Sequence, residues 1–139
     1  MKDLVFDTGV VTYNLNGKCE VSFNPTDSGF AEKLYNAFST LDGKKAEYEE
    51  QIKKAGDNAA VFDLFRKMDE EMRDIINEVF GFDVCTPLFG DLNIYAFADG
   101  LPVWANLLLG LMDELDSSVA KEQKAMNPRI SKYTKKYHK

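Results

Sequence analysis

Apolar residues recur along this chain with two periods, first of two and then of about three and a half. Between residues 10 and 23 they alternate: Val11, Tyr13 and Leu15, then Cys19, Val21 and Phe23, on either side of Asn16-Gly17. Alternation of this kind builds a half-buried strand, and Asn-Gly between two such runs marks a hairpin. A two-residue loop would pair Tyr13 with Glu20 and send the two apolar triplets to opposite faces. A three-residue loop, Leu15-Asn16-Gly17, pairs Tyr13 with Cys19 and Val11 with Val21. All the apolar residues then share a face, because strand side chains have a period of two. The sequence therefore predicts a bulged turn with Gly17 left-handed, and an apolar face that a helix or another strand must cover. Leu4-Val5-Phe6, just ahead, is expected to begin the same sheet.

Asn24-Pro25 breaks the strand, and Thr26 or Asp27 is placed to cap a helix. Phe30, Leu34, Phe38 and Leu41 follow at helical spacing. Asp42-Gly43 either stops this helix or is ridden over. Tyr48, Ile52 and Ala55 continue a thin stripe over residues 44–55, a mostly solvated helix with Glu49–Lys53 and Glu50–Lys54 as spaced ion pairs. Gly56-Asp57-Asn58 separates the next helix, about 58–80, faced by Phe62, Phe65, Met68, Met72, Ile75, Ile76, Val79 and Phe80, with Gly81 as its cap. Residues 82–99 hold Pro87, Gly90 and several aromatics without a sustained period. They predict a buried connection with helical turns near Cys85–Phe89 and Asn93–Ala98. Gly100 and Pro102 mark the start of the last and most apolar helix: Val103, Trp104, Leu107, Leu108, Leu111, Met112 and Leu115, with Leu109 outside that stripe. Asn127-Pro128 ends it.

Strands first and helices after give an α+β fold, an N-terminal β-hairpin or small antiparallel sheet packed on three to four α-helices. The hairpin is expected over the last helix or over the 58–80 helix. Residues 1–120 read as a single domain and residues 121–139 as a basic, flexible C-terminal tail. The charge division supports that boundary: residues 1–120 carry ten Lys/Arg and twenty-two Asp/Glu, net −12, and residues 121–139 carry seven Lys/Arg and one Glu, net +6. Such asymmetry marks an interaction tail or a solubilising end.

Met1 is followed by Lys2-Asp3 rather than an apolar run, and no stretch reaches the ~18 apolar residues of a membrane span. With two distant cysteines, Cys19 and Cys85, the expectation is a cytoplasmic protein with reduced thiols. His138, the single histidine, is penultimate, a poor place for a held general base. Two cysteines without CxxC give no zinc site. Glu70, Asp74 and Glu78 share a helix stripe that suits either a divalent cation or solvent, with Lys67 and Arg73 interleaved. Asp113, Glu114 and Asp116 lack calcium-loop spacing, and no Gly-rich phosphate loop is present. No cofactor, metal or catalytic residue is therefore expected. Lys132, Tyr133, Lys135, Lys136 and Tyr137 interleave charge with aromatics, but on an acidic body, which disfavours nucleic acid. What remains is apolar surface: Trp104, Leu108, Leu111 and Met112 are the candidate protein-binding residues, although the same pattern describes a core.

Phe6-Asp7 before a hairpin, Phe23-Asn24-Pro25-Thr26-Asp27 entering a helix, and Val79-Phe80-Gly81 followed by Cys85 and Leu88-Phe89-Gly90-Asp91 carry a resemblance. Over residues 1–116 the chain resembles the tail assembly chaperones of long-tailed phages and prophages of Gram-positive bacteria. The resemblance implies a non-enzymatic protein of the host cytoplasm that binds the tape-measure protein, the tail-tube protein or both, and that self-associates. It also implies a longer second product made by frameshifting, for which an adenine run encoding Lys135-Lys136 would serve. The alternatives are a structural tube or connector subunit of the tail and a small soluble binding domain.

Overall fold

The computed structural model describes residues 1–125 and 127–137; His138 lies outside them. The first hairpin pairs β1 (Val11–Leu15) with β2 (Cys19–Phe23). Its turn is bulged, and it places both apolar triplets on one face as expected, but the register differs by two residues. Tyr13 faces Val21, Leu15 faces Cys19 and Val11 faces Phe23. The three loop residues are Asn16, Gly17 and Lys18. Asn16 and Gly17 both have positive φ, 53° and 69°, and Lys18 N donates to Leu15 O at 3.0 Å. Left-handed conformation at two successive positions makes a primed turn, whose twist matches that of the strands. Lys18 is then the extra residue that restores the shared face. This register leaves Leu15 in the ladder, where the expected one discarded it into the loop.

Leu4-Val5-Phe6 does not begin the sheet. Residues 1–10 form no strand, and Leu4, Val5 and Phe6 are 87, 91 and 74% exposed. The root of this arm is nonetheless held. Asn24 Nδ2 donates to Thr8 O at 2.8 Å, and Gly9 N donates to Asp7 Oδ1 at 2.8 Å. Gly9 has φ +71°, and a Cβ there would stand 2.7 Å from Asn24 Nδ2, so any other residue would be strained and would push the Asn24 amide off Thr8.

The helix α1 (Ser28–Lys54) runs unbroken through Asp42-Gly43. Of the two candidate caps, Asp27 is the one used: its Oδ1 accepts from Gly29 N at 2.8 Å. Asp27→Ala is expected to cost about 1 kcal/mol, a fall in Tm of roughly 3–4 °C by calorimetry. The second half of α1 is less solvated than its thin stripe implied, because Tyr48 is buried. Its hydroxyl donates to Glu71 of α2 (Asn58–Phe80), and Lys44 Nζ lies 3.5 Å from the same carboxylate. Of the two spaced ion pairs, Lys54–Glu50 forms at 3.6 Å.

The core joins β2, α1, α2, α3 (Cys85–Phe89) and α4 (Val103–Lys124). Leu34, Leu41, Met72, Ile76, Ile94 and Leu108 are fully buried. The hairpin lies against α4, where Tyr13 meets Glu114, and against the start of α1, where Phe23 stacks on Phe30 at 4.1 Å. Phe30 in turn meets Phe80 of α2 at 5.9 Å.

The connection from α2 to α4 holds one expected helical turn, α3. The second, near Asn93–Ala98, is instead a tight turn, with Ala96 N donating to Asn93 O at 2.9 Å. It leads into a second hairpin, β3 (Phe97–Ala98) and β4 (Leu101–Pro102). Asp99 and Gly100 turn this hairpin with φ 57° and 77°, so Gly100 belongs to the turn and not to a helix start. Pro102 is the residue before α4, which has no side-chain cap. The carbonyls of Ala96 and Ile94 accept from Val103 N and Trp104 N, at 2.8 and 3.2 Å, in its place.

A stripe on α2 organises this connection. Arg73 Nε donates to Asp69 Oδ2 at 2.9 Å, and the same guanidinium donates to Gly90 O and Leu92 O at 2.8 and 2.6 Å. Asp69 Oδ1 accepts from Ile94 N at 2.8 Å. One turn on, Asn77 Oδ1 accepts from Val84 N and Cys85 N. Residues spaced by four on one helix thus satisfy backbone groups of a connection that, against expectation, is mostly not buried: only Val84, Cys85, Leu88 and Ile94 of it are. The tail is not wholly irregular: Arg129–Tyr137 form helix α5.

Candidate protein-binding groove

The four residues singled out on α4 do not form one surface. Trp104, Leu108 and Leu111 are buried, at 4, 0 and 5% exposure, and belong to the core. The α4 stripe is the side that packs on α1 and joins the common core, so their apolar character holds the fold together. Trp104 tilts against Phe38 at 5.8 Å; its Nε1 is buried without a hydrogen-bond partner, as in a ring placed for packing. Met112 is half-buried and lines a shallow groove between α1 and α4.

A second groove, of about 530 Å³, lies along the other flank of α4. Its walls are β1, with Tyr13 and Leu15, and the connection, with Leu88, Phe89 and Ala98. Its floor is Leu107, Gly110 and the edge of Leu111. Most of this lining is apolar, the character of a recognition groove. Tyr13 Oη donates to Glu114 Oε1 at 3.0 Å and closes one end. Burial, and then this carboxylate, raises the Tyr13 phenol above its ordinary value, so it stays a donor. Asn106 Nδ2 donates to Ala98 O at 2.8 Å and ties the β3 wall to α4. Phe97, beside Ala98, is 71% exposed.

Gly110 matters most here. It sits in the interior of α4, exposed, and a Cβ added there would meet nothing within 4 Å. Glycine in a helix interior costs about 1 kcal/mol relative to alanine. Packing within the chain does not require it, and without a side chain it leaves the groove floor bare at that point. Sequence reasoning missed Gly110 by following the apolar stripe; the signal was the lone glycine within the most apolar helix.

Glu70, Asp74 and Glu78 face solvent, and no group of three or more potential metal ligands assembles among the described residues. Glu71 is held below the usual carboxylate range, first by the Tyr48 hydroxyl and then by Lys44. Burial pushes the Tyr48 and Tyr95 phenols up; the Tyr95 hydroxyl has no hydrogen-bond partner. Cys19 and Cys85 are both free and buried. Burial pushes the Cys85 thiol up to about 12. The unfolded thiol ionises near its ordinary value, about 8.5, so this group leaves stability unchanged below that pH and lowers it as the pH rises towards 12. Denaturation midpoints should therefore fall across that alkaline window, and Cys85→Ala should flatten part of the fall.

No helix among the described residues is long and apolar enough to cross a membrane. No family model, no curated protein and no solved structure matches the chain.

Proposed function

We propose that this chain acts by binding protein, as a tail assembly chaperone of a long-tailed phage or prophage, in the cytoplasm of the bacterial host. Its clients on this reading are the tape-measure protein, the tail-tube protein or both. The observation that carries the binding reading is the groove along α4, with an apolar lining and a floor left bare at Gly110. An apolar helical segment of a client fits such a groove by laying its own apolar face along it. The exposed Leu4-Val5-Phe6 arm adds a second apolar contact. The phage assignment rests on the sequence resemblance over residues 1–116.

The test is to co-express the chain with the product of the longest helical reading frame downstream of its gene. A chaperone keeps that product in the soluble fraction and co-purifies with it, yet is absent from finished particles. Presence in finished particles at stoichiometric level would make it a tail subunit instead. No effect on the long product's solubility, and no co-purification, would remove the reading.

A further inference from the structure

The tip of the first hairpin holds a reactive pair that packing leaves unrestrained. Asn16-Gly17 is the one Asn-Gly pair of the chain. The carbonyl carbon of an asparagine side chain is an electrophile, and the backbone nitrogen of the next residue can close a cyclic imide on it. A side chain on that next residue blocks the approach, and hydrogen bonds to either group hold them apart. Neither restraint operates here. Gly17 has no Cβ, and one added there would meet nothing within 4 Å. Lys18 N is engaged with Leu15 O at 3.0 Å, but among the described residues no hydrogen bond holds the Gly17 N–H or the Asn16 side-chain amide. Both residues are exposed, at the end of a two-stranded sheet, where local opening costs least.

The other asparagines lack this combination. Asn24 and Asn127 precede proline, which has no N–H. The side chains of Asn77, Asn93 and Asn106 are held by hydrogen bonds to the backbone. Asn14, Asn36 and Asn58 precede Leu15, Ala37 and Ala59, whose Cβ atoms crowd the attacking nitrogen.

We propose that Asn16 is a self-modifying site, converted through a cyclic imide with Gly17 into aspartate and isoaspartate. Hydroxide takes the Gly17 N–H proton, and the nitrogen bonds to Asn16 Cγ. The Cγ–Nδ2 bond breaks, and Nδ2 leaves as ammonia with a proton from water. A water molecule then opens the imide. Opening at Cγ restores the main chain and leaves an aspartate. Opening at the main-chain carbonyl of position 16 leaves isoaspartate, with the chain rerouted through Cβ and Cγ. Water is consumed, ammonia is released, and nothing is oxidised or reduced. Both products bear on the groove along α4, because Asn16 lies in its β1 wall beside Leu15. This consequence rests on the client-binding reading. A carboxylate replaces a neutral amide there, and an apolar client must desolvate it. Isoaspartate lengthens the main chain and no longer fits the primed turn that sets the register. The groove of a newly made chain therefore binds best.

Peptide mapping by mass spectrometry tests the site on the full chain, held folded in mildly alkaline buffer. Asn16→Gly is the control, since Gly-Gly keeps the primed turn. The folded chain should gain the mass difference between an amide and a carboxyl group at Asn16, ahead of every other asparagine. Fragmentation should find isoaspartate among the products, and ammonia should be released to match. The mass of the Asn16→Gly chain should stay constant over the same period. Conversion of Asn16 only after unfolding in urea, or conversion led by another asparagine, would overturn the proposal. For the groove, the converted chain should co-purify less of the long downstream product than Asn16→Gly protein aged beside it. Equal co-purification by fully converted chain would overturn the consequence for the groove. No co-purification by freshly made chain would instead remove the client reading, and the mass map would still decide the site.

Discussion

Leu108→Asp is expected to abolish folding rather than detach a partner. Leu108 is fully buried at the junction of α4 with the rest of the core. A carboxyl group placed there gains no partner and is forced neutral and unsatisfied; added to the lost Leu packing of about 2–5 kcal/mol, this takes most of a typical domain's total stability of about 5–15 kcal/mol. The chain should lose its helical circular dichroism and its cooperative transition. Leu108→Ala provides the graded version, at about 2–5 kcal/mol from lost transfer energy and the cavity left behind. A folded Leu108→Asp monomer with unchanged helicity would mean that α4 presents this face outward, contrary to the packing described.

The second large effect is expected from Arg73→Ala. Arg73 and Asp69 have side chains 16 and 18% exposed. The guanidinium binds two carbonyls of the connection, and Asp69 holds the Ile94 amide. Removing Arg73 leaves the largely buried Asp69 carboxylate without its cation, while the Gly90 and Leu92 carbonyls, on exposed residues, turn to water. About 1.5–3 kcal/mol should be lost in chemical denaturation. Hydrogen exchange at the Ile94 amide should accelerate more than exchange in α1. Arg73→Lys should not restore stability, because an ammonium cannot reproduce the planar fork that reaches three acceptors.

These two residues mark where sequence was legible and where it was not. The alternation around Asn16-Gly17 and the helical stripes identified β1, β2, α1, α2 and α4, because a single amphipathic face against one core leaves a clear period. The same stripes could not separate core from surface on α4. Burial depends on what closes over the helix, and Trp104, Leu108 and Leu111 lie on the side of α4 that joins the core with α1. Arg73 read as a cation interleaved with a solvated acidic stripe, and its i,i+4 spacing to Asp69 suits a surface pair as well as a clasp. Only the connection's route past α2 turns them inward. The second hairpin was signalled by Asp99-Gly100, but its strands have two residues each, too short to show an alternation. Leu4-Val5-Phe6 misled for the opposite reason: three apolar residues suit a strand, but Asn24 and Gly9 fix the arm's root so that it leaves the sheet.

The central claim is that the groove along α4 binds a client, and Gly110→Gln tests it most directly. The new side chain enters open space, so the fold should persist, with Tm unchanged or slightly raised by the better helix former. Co-purification of the long downstream product should fall about tenfold or more as the floor is filled. Undiminished co-purification by a folded Gly110→Gln protein would contradict the groove as the binding site.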